Sequence, residues 1–204
     1  AIKGIGGEKT RSAKMSYFGR ASYDYMGRYM AQFSLRADAA DMSQLPVTNR
    51  WGYFPAVSLG WTVSEEKFFE PVKQHVSSLK LRASWGQNGS LSALSGYAYS
   101  TDMASSGIYP LTGGNGFTTG VNPASLGNDE LKWETSEQID FGMDARFLRD
   151  RLIFSVDYYE KKTKDLLVLD TKPSLSIGGK TSPMNAGNVS NKGWEFELGW
   201  RDNI

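Results

Sequence analysis

Very little in this chain is equipped for covalent chemistry. His75 is the sole histidine among 204 residues and cysteine is absent. That removes thiolate nucleophiles, disulfides and zinc–cysteine clusters, and leaves a histidine-based triad or metal cluster without a second member. Glu65-Glu66 and Asp157 with Glu160 are carboxylates at short spacing. Glycosidic acid–base pairs must converge on one bond; the first pair lies in a charged turn and the second straddles the two faces of one alternating segment. Gly113-Gly114-Asn115-Gly116 has a phosphate-loop composition, yet no Lys-Ser/Thr follows and no helix opens there. Asp38, Asp41, Asn128 and Asp129 offer oxygen to calcium without an EF-hand spacing. The chain is therefore expected to be no enzyme, with no cofactor and no metal site.

Binding fits better. Tyr97, Tyr99, Tyr109 and Phe117 lie in a long stretch of Ser, Thr, Gly and Asn. Exposed rings stack on sugars or anchor a partner, and amides and hydroxyls supply hydrogen bonds. These four are the candidate substrate- or partner-binding loop residues.

What must position them is a set of alternating segments. Trp194, Phe196, Leu198 and Trp200 alternate with Glu195, Glu197, Gly199 and Arg201. A strand sends successive side chains to opposite faces, so this segment has one apolar and one charged face. The pattern predicts strands near 16–25, 29–38, 51–63, 78–86, 133–147, 152–166 and 192–201. A one-residue slip would invert any of these faces, so register is well specified. Met26-Gly27-Arg28 and Arg149-Asp150-Arg151 read as tight turns; Ala39–Arg50, Gln87–Lys132 and Leu167–Asn191 are long links. The link Ser64–Ser77 reads as a short helical turn with Phe68 and Phe69 inward. Links run short, long, medium, long, short, long, the asymmetry of barrels with short turns at one end.

In water the apolar faces must meet in a second layer about 10 Å away; in a membrane, lipid covers them. Segments of ten to fifteen residues are long enough to cross a hydrocarbon layer when tilted, and Trp and Tyr crowd their ends as in an interfacial girdle. No apolar run is long enough for a transmembrane helix, which says nothing against a barrel. Lys plus Arg (23) nearly balance Asp plus Glu (22), so no nucleic-acid partner is expected. Ala1 does not open a signal peptide, and the chain reads as a mature piece or a fragment. The alternative reading is a soluble, secreted, carbohydrate-binding β-sandwich.

Ordered motifs narrow the choice. They are 16–20 (Ser-Tyr-Phe-Gly-Arg), 49–58 (Asn-Arg-Trp-Gly-Tyr-Phe-Pro-Ala-Val-Ser), 64–69 (Ser-Glu-Glu-Lys-Phe-Phe), 79–89 (Leu-Lys-Leu-Arg-Ala-Ser-Trp-Gly-Gln-Asn-Gly) and 131–138 (Leu-Lys-Trp-Glu-Thr-Ser-Glu-Gln). Val156-Asp157-Tyr158-Tyr159, 161–167, and 185–189 leading to Asn191-Lys192-Gly193-Trp194-Glu195 complete the set. Together they resemble the barrel of SusC/RagA TonB-dependent outer-membrane receptors. The resemblance implies an all-β, antiparallel, up-and-down transmembrane barrel of about twenty-two strands, of which residues 1–204 supply about seven, without the plug domain or the C-terminal closing strand. It further implies a bacterial outer-membrane location, import of glycans or peptides, a SusD-like surface lipoprotein, and TonB contact through regions outside this chain. Arg20, Arg36, Lys80, Arg82, Asp140, Asp144 and Arg146 would then face the lumen and touch the plug.

Overall fold

The computed structural model describes residues 12–94, 96–110, 117–168 and 183–202. Seven long strands form one antiparallel sheet: β1 (Met15–Tyr25), β2 (Tyr29–Ala39), β3 (Trp51–Thr62), β4 (Val76–Ser90), β7 (Glu134–Phe147), β8 (Leu152–Lys164) and β11 (Val189–Trp200). Between them lie β5 (Asp102–Pro110) with β6 (Phe117–Ser125), and the two-residue strands β9 (Leu167–Val168) and β10 (Met184–Asn185). Spatial order in the large sheet follows chain order, β1-β2-β3-β4-β7-β8-β11. This is an up-and-down meander, and all seven expected segments are strands in it.

Three local expectations change. The link Gln87–Lys132 is not all loop: β4 continues to Ser90 on β7's ladder, and β5 and β6 form a separate two-stranded sheet. Phe68 is 65% exposed while Phe69 is buried. Both belong to a two-turn 3-10 segment, Lys67–Val72, whose neighbouring side chains point in different directions, so only one ring is buried. Finally, β8 ends at Lys164, where Asp165 takes a positive φ of 56°.

The tight turn after β1 has local causes. Met26 and Gly27 both have positive φ, 54° and 66°, a conformation glycine adopts without a side-chain penalty. Asp24 accepts the Gly27 N–H at 2.9 Å, and Arg28 N–H closes the turn on Tyr25 O at 2.9 Å.

The buried core is small and lies at the long-link end. Ala40, Leu45, Leu91, Leu94 and Leu131 form it, with Ala98, Tyr99, Trp133 and Leu167 packed against it. Polar contacts tie the same links together. Asn49 Nδ2 donates to Leu131 O at 3.0 Å, Trp133 Nε1 to Arg50 O at 3.2 Å, and Asn185 brackets Lys132 with bonds of 2.9 Å to its N–H and its carbonyl. Asn49 and Arg50 of the first long link and Asn185 of the third are thus fixed to the segment entering β7.

Candidate functional site

Cross-strand register carries one side-chain parity continuously around the sheet. Tyr29 pairs Trp61, Trp61 pairs Leu81, then Met143, Val156 and Phe196 follow in one row. The next row is Ala31, Leu59, Ala83, Phe141, Tyr158 and Trp194. These apolar side chains stay open: Phe141 is 56% exposed, Phe196 70% and Leu198 74%. A sandwich would bury them under a second sheet, and among the described residues no sheet packs over them.

The edges of the apolar band yield the strand tilt. Its upper edge is Tyr53 on β3 but Trp194 on β11, and Trp194 lies level with Leu59 in the ladder. Its lower edge is Trp61 on β3 but Trp200 on β11, whereas Trp61 is level with Phe196. Over four strand spacings of about 4.8 Å, at about 3.3 Å per residue, these offsets give tilts of about 45° and 35°. Barrel strands tilt by about 35–45°. Stacked rings mark the lower edge, Tyr25–Tyr29–Trp61, with centroids 6.4 Å apart at each step, and at the upper edge Tyr17 stacks at 6.2 Å on Trp51, which lies just beyond Tyr53.

A carboxylate closes the lower girdle. Tyr29 Oη donates to Glu66 Oε1 at 2.6 Å and Trp61 Nε1 to the same oxygen at 3.3 Å. Those two donors, the tyrosine first, hold the Glu66 carboxyl below the ordinary carboxylate range.

The opposite parity is polar and carries Arg20, Arg36, Lys80, Arg82, Asp140, Asp144 and Arg146. Arg82 is the centre of one cluster. Its Nε and Nη2 donate to Asp144 at 2.7 and 3.1 Å, and Nη2 reaches Asp157 on the next strand at 3.0 Å. The guanidinium crosses β7 over Gly142, where any Cβ would collide with Arg82 and Asp157. Asp140 accepts from Ser84 Oγ at 3.0 Å and Gln138 Nε2 at 2.8 Å. Arg36 pairs with Asp38 at 2.8 Å on β2, and Arg20 on β1 lies opposite Ser34. Lys80 and Arg146 lie toward the tight-turn end. Asp157 was missed from sequence as Arg82's partner; the signal available was a lone glycine in an otherwise polar parity of β7.

Of the four loop aromatics, Tyr97 and Tyr99 come together, with ring centroids 6.4 Å apart. Tyr97 has φ 58° and is 57% exposed, and its N–H bonds Ser43 O. Tyr99 Oη donates to Met42 O at 2.9 Å. Tyr109 and Phe117 are paired strand residues of β5 and β6, opposite Thr118 and Pro110; their side chains lie outside what is described, as does the 113–116 glycine stretch. Asp41 anchors the loop beneath the tyrosines. It accepts the Ser43 hydroxyl at 2.6 Å, the Ala13 N–H, and the Ser43 N–H at 2.8 Å, and in that order these bonds pull its pKa down to about 2.

No catalytic constellation forms from the carboxylates. Asp157 is held by Arg82, Glu160 by Lys162 at 2.8 Å on the other face, and Glu65 faces Lys73 at 3.9 Å. Among the described residues no three His, Asp or Glu side chains converge as metal ligands.

One sheet with a continuous, uncovered apolar face, a charged opposite face, tilted strands and ring-lined edges is an arc of a membrane-spanning β-barrel wall. Residues 5–203 match the family described as "TonB dependent receptor-like, beta-barrel", and the chain belongs to that family. It is 35% identical over 188 residues to TonB-dependent receptor P3 of Formosa agariphila, and 34% identical over 195 residues to TonB-dependent receptor SusC of Bacteroides thetaiotaomicron. Those alignments cover 92% and 93% of this chain, which spans 18% of the length of either relative. Among solved structures, the RagAB peptide importer in its "open-open" state superposes with a TM-score of 0.77 at 27% identity, over 92% of this chain and 19% of that one. The siderophore receptor PirA from Pseudomonas aeruginosa shares the fold, with a TM-score of 0.56 at 17% identity, over 92% of this chain and 31% of that one.

Proposed function

We propose that this chain is part of an outer-membrane, TonB-dependent transporter that imports glycans or peptides, without catalysing their conversion, together with a SusD-like surface lipoprotein. The observation that carries the reading is the uncovered apolar face in a chain of the TonB-dependent receptor barrel family. Lipid covers that face. The polar face lines the lumen, and Arg20, Arg36, Lys80, Arg82, Asp140, Asp144 and Arg146 hydrate it and contact the plug. TonB acts through regions outside this chain. The long links face outward from the cell, where barrels of this kind carry their long loops, and Tyr97, Tyr99, Tyr109 and Phe117 contribute to a substrate- or partner-binding surface there. Tyr97 and Tyr99 support this best, since Asp41 and Ser43 fix the loop from which their rings project.

The test uses the full-length receptor in its native membrane. It should fractionate with outer membranes, migrate differently in detergent gels before and after heating, and support TonB-dependent uptake. Combined Tyr97→Ala and Tyr99→Ala should weaken substrate or lid-protein affinity while heat-modifiable migration persists. Unchanged affinity for both would remove the loop assignment. A soluble, monomeric receptor would remove the whole reading.

A further inference from the structure

The wall is split at one place. The β3–β4 ladder stops at Ala56–Gly86. Its neighbours run on, β2–β3 to Ala39–Trp51 and β4–β7 to Ser90–Glu134. Below the split the strands are drawn close, since a Cβ at Gly86 would lie 3.0 Å from that of Ala56. At its foot stands Pro55, which has no N–H to give to a ladder. Phe54 breaks the parity rule by placing a buried ring, 6% exposed, on the polar side of β3. The ring fills the inner part of the split over Gly52 and Gly89, where any Cβ would meet it. Trp133 meets it edge-on, with centroids 5.5 Å apart at 70°.

Outside the ring a cleft of about 270 Å³ remains, lined among others by Trp51, Tyr53, Asn49, Gln87, Lys132 and Thr135. It opens where the apolar band gives way to polar residues: Tyr53 is the band's upper edge on β3, and Gln87 follows Trp85 outward on β4. Two rings, two amides, a hydroxyl and an ammonium share its lining, with Asn49 Nδ2 already engaged by Leu131 O. Aromatic faces with amide and hydroxyl donors are the surface a sugar ring uses. Lys132 is already paired with Asp165 at 3.0 Å, which leaves a neutral, hydroxyl-rich group better matched than a bare phosphate.

We propose that this cleft binds the sugar headgroup of a membrane glycolipid, with the acyl chains lying down the apolar face along Tyr53 and Tyr17. The proposal rests on the lipid-facing reading above. Continuity between cleft and apolar face favours a membrane-borne ligand over a free sugar, because the acyl chains add buried apolar contact and hold the headgroup at the mouth.

The test is titration of fluorescent rough lipopolysaccharide into the detergent-solubilised full-length receptor. Trp51→Ala with Gln87→Leu should weaken binding about tenfold, and Thr135→Trp, which fills the cleft instead of stripping it, should do the same. Trp200→Ala, at the opposite edge of the band, should leave binding unchanged. Unaltered affinity in both cleft variants overturns the proposal. So does equal binding of the free core oligosaccharide, or competition by phosphatidylglycerol as strong as by lipopolysaccharide. Heat-modifiable migration is read in parallel: its presence in parent and variants keeps the barrel reading intact whichever way the titration falls, and its absence from the parent refutes that reading itself.

Discussion

Replacing Phe141 by arginine separates lipid from water on the apolar face. The side chain is 56% exposed, so in water the change would shift stability by about 0.5 kcal/mol or less. In lipid an arginine near the bilayer midplane costs about 2–4 kcal/mol. The apolar stretch of β7 runs from Phe147 to Ile139 and centres on Met143. Phe141 is one outward position higher, about 5 Å along the membrane normal for a strand tilted by about 40°. Phe141→Arg should therefore cost about 2–3 kcal/mol and Met143→Arg about 3–4 kcal/mol, whereas Ser190→Arg, above the ring of aromatics on β11, should cost about 0–1 kcal/mol. Reversible urea titration of the full-length receptor in phospholipid vesicles measures these differences; for Phe141→Arg the folding equilibrium should fall roughly 30- to 150-fold. Small and equal effects at all three positions would refute lipid contact and the tilt that orders them.

Gly89→Ala drives a methyl into the Phe54 ring and should lower stability by about 1–3 kcal/mol, read by the same titration. Arg82→Leu leaves Asp144 and Asp157 without their shared cation. Because those side chains are 43%, 38% and 31% exposed, the stability loss should be about 1 kcal/mol or less; the larger change should be in protease protection of the plug. Asp41 is depressed to about 2 when folded, against about 3.9 unfolded, so its stabilisation is complete above the unfolded value and fades as pH falls from about 4 to about 2. Protection factors of the Ala13 and Ser43 amides, rates corrected for intrinsic exchange, should fall as pH drops through that window, and Asp41→Asn should remove that fall.

The strands were legible because period-two alternation needs only one chain's own residues, as Trp194 to Trp200 show. Partners across the sheet were not, since they depend on register. Arg82 was visible as a charge on the correct parity, yet Asp157 lies seventy-five positions away and is reached only over Gly142. The end of β4 was hidden because Gln87-Asn88-Gly89 has turn composition, while β7's ladder holds it extended. The β5–β6 hairpin lacks apolar alternation and left no signal. Phe54 misleads any parity rule, because its ring fills a gap between two strands and not a face. Tyr97 and Tyr99 stood out by type, but their fixed footing comes from Asp41 and Ser43, more than fifty residues earlier.

The most direct test of the account is a spin-label accessibility scan along β7, from Ser136 to Arg146, in the full-length receptor reconstituted in lipid. Oxygen, which partitions into the bilayer, should reach labels at 139, 141, 143 and 145, and a water-soluble nickel chelate should not. The pattern should invert at 138, 140 and 144, giving a period of two; Gly142, where a side chain would collide with Arg82 and Asp157, is left unlabelled. Equal access of the nickel chelate to both parities would contradict a wall with lipid on one side and lumen on the other.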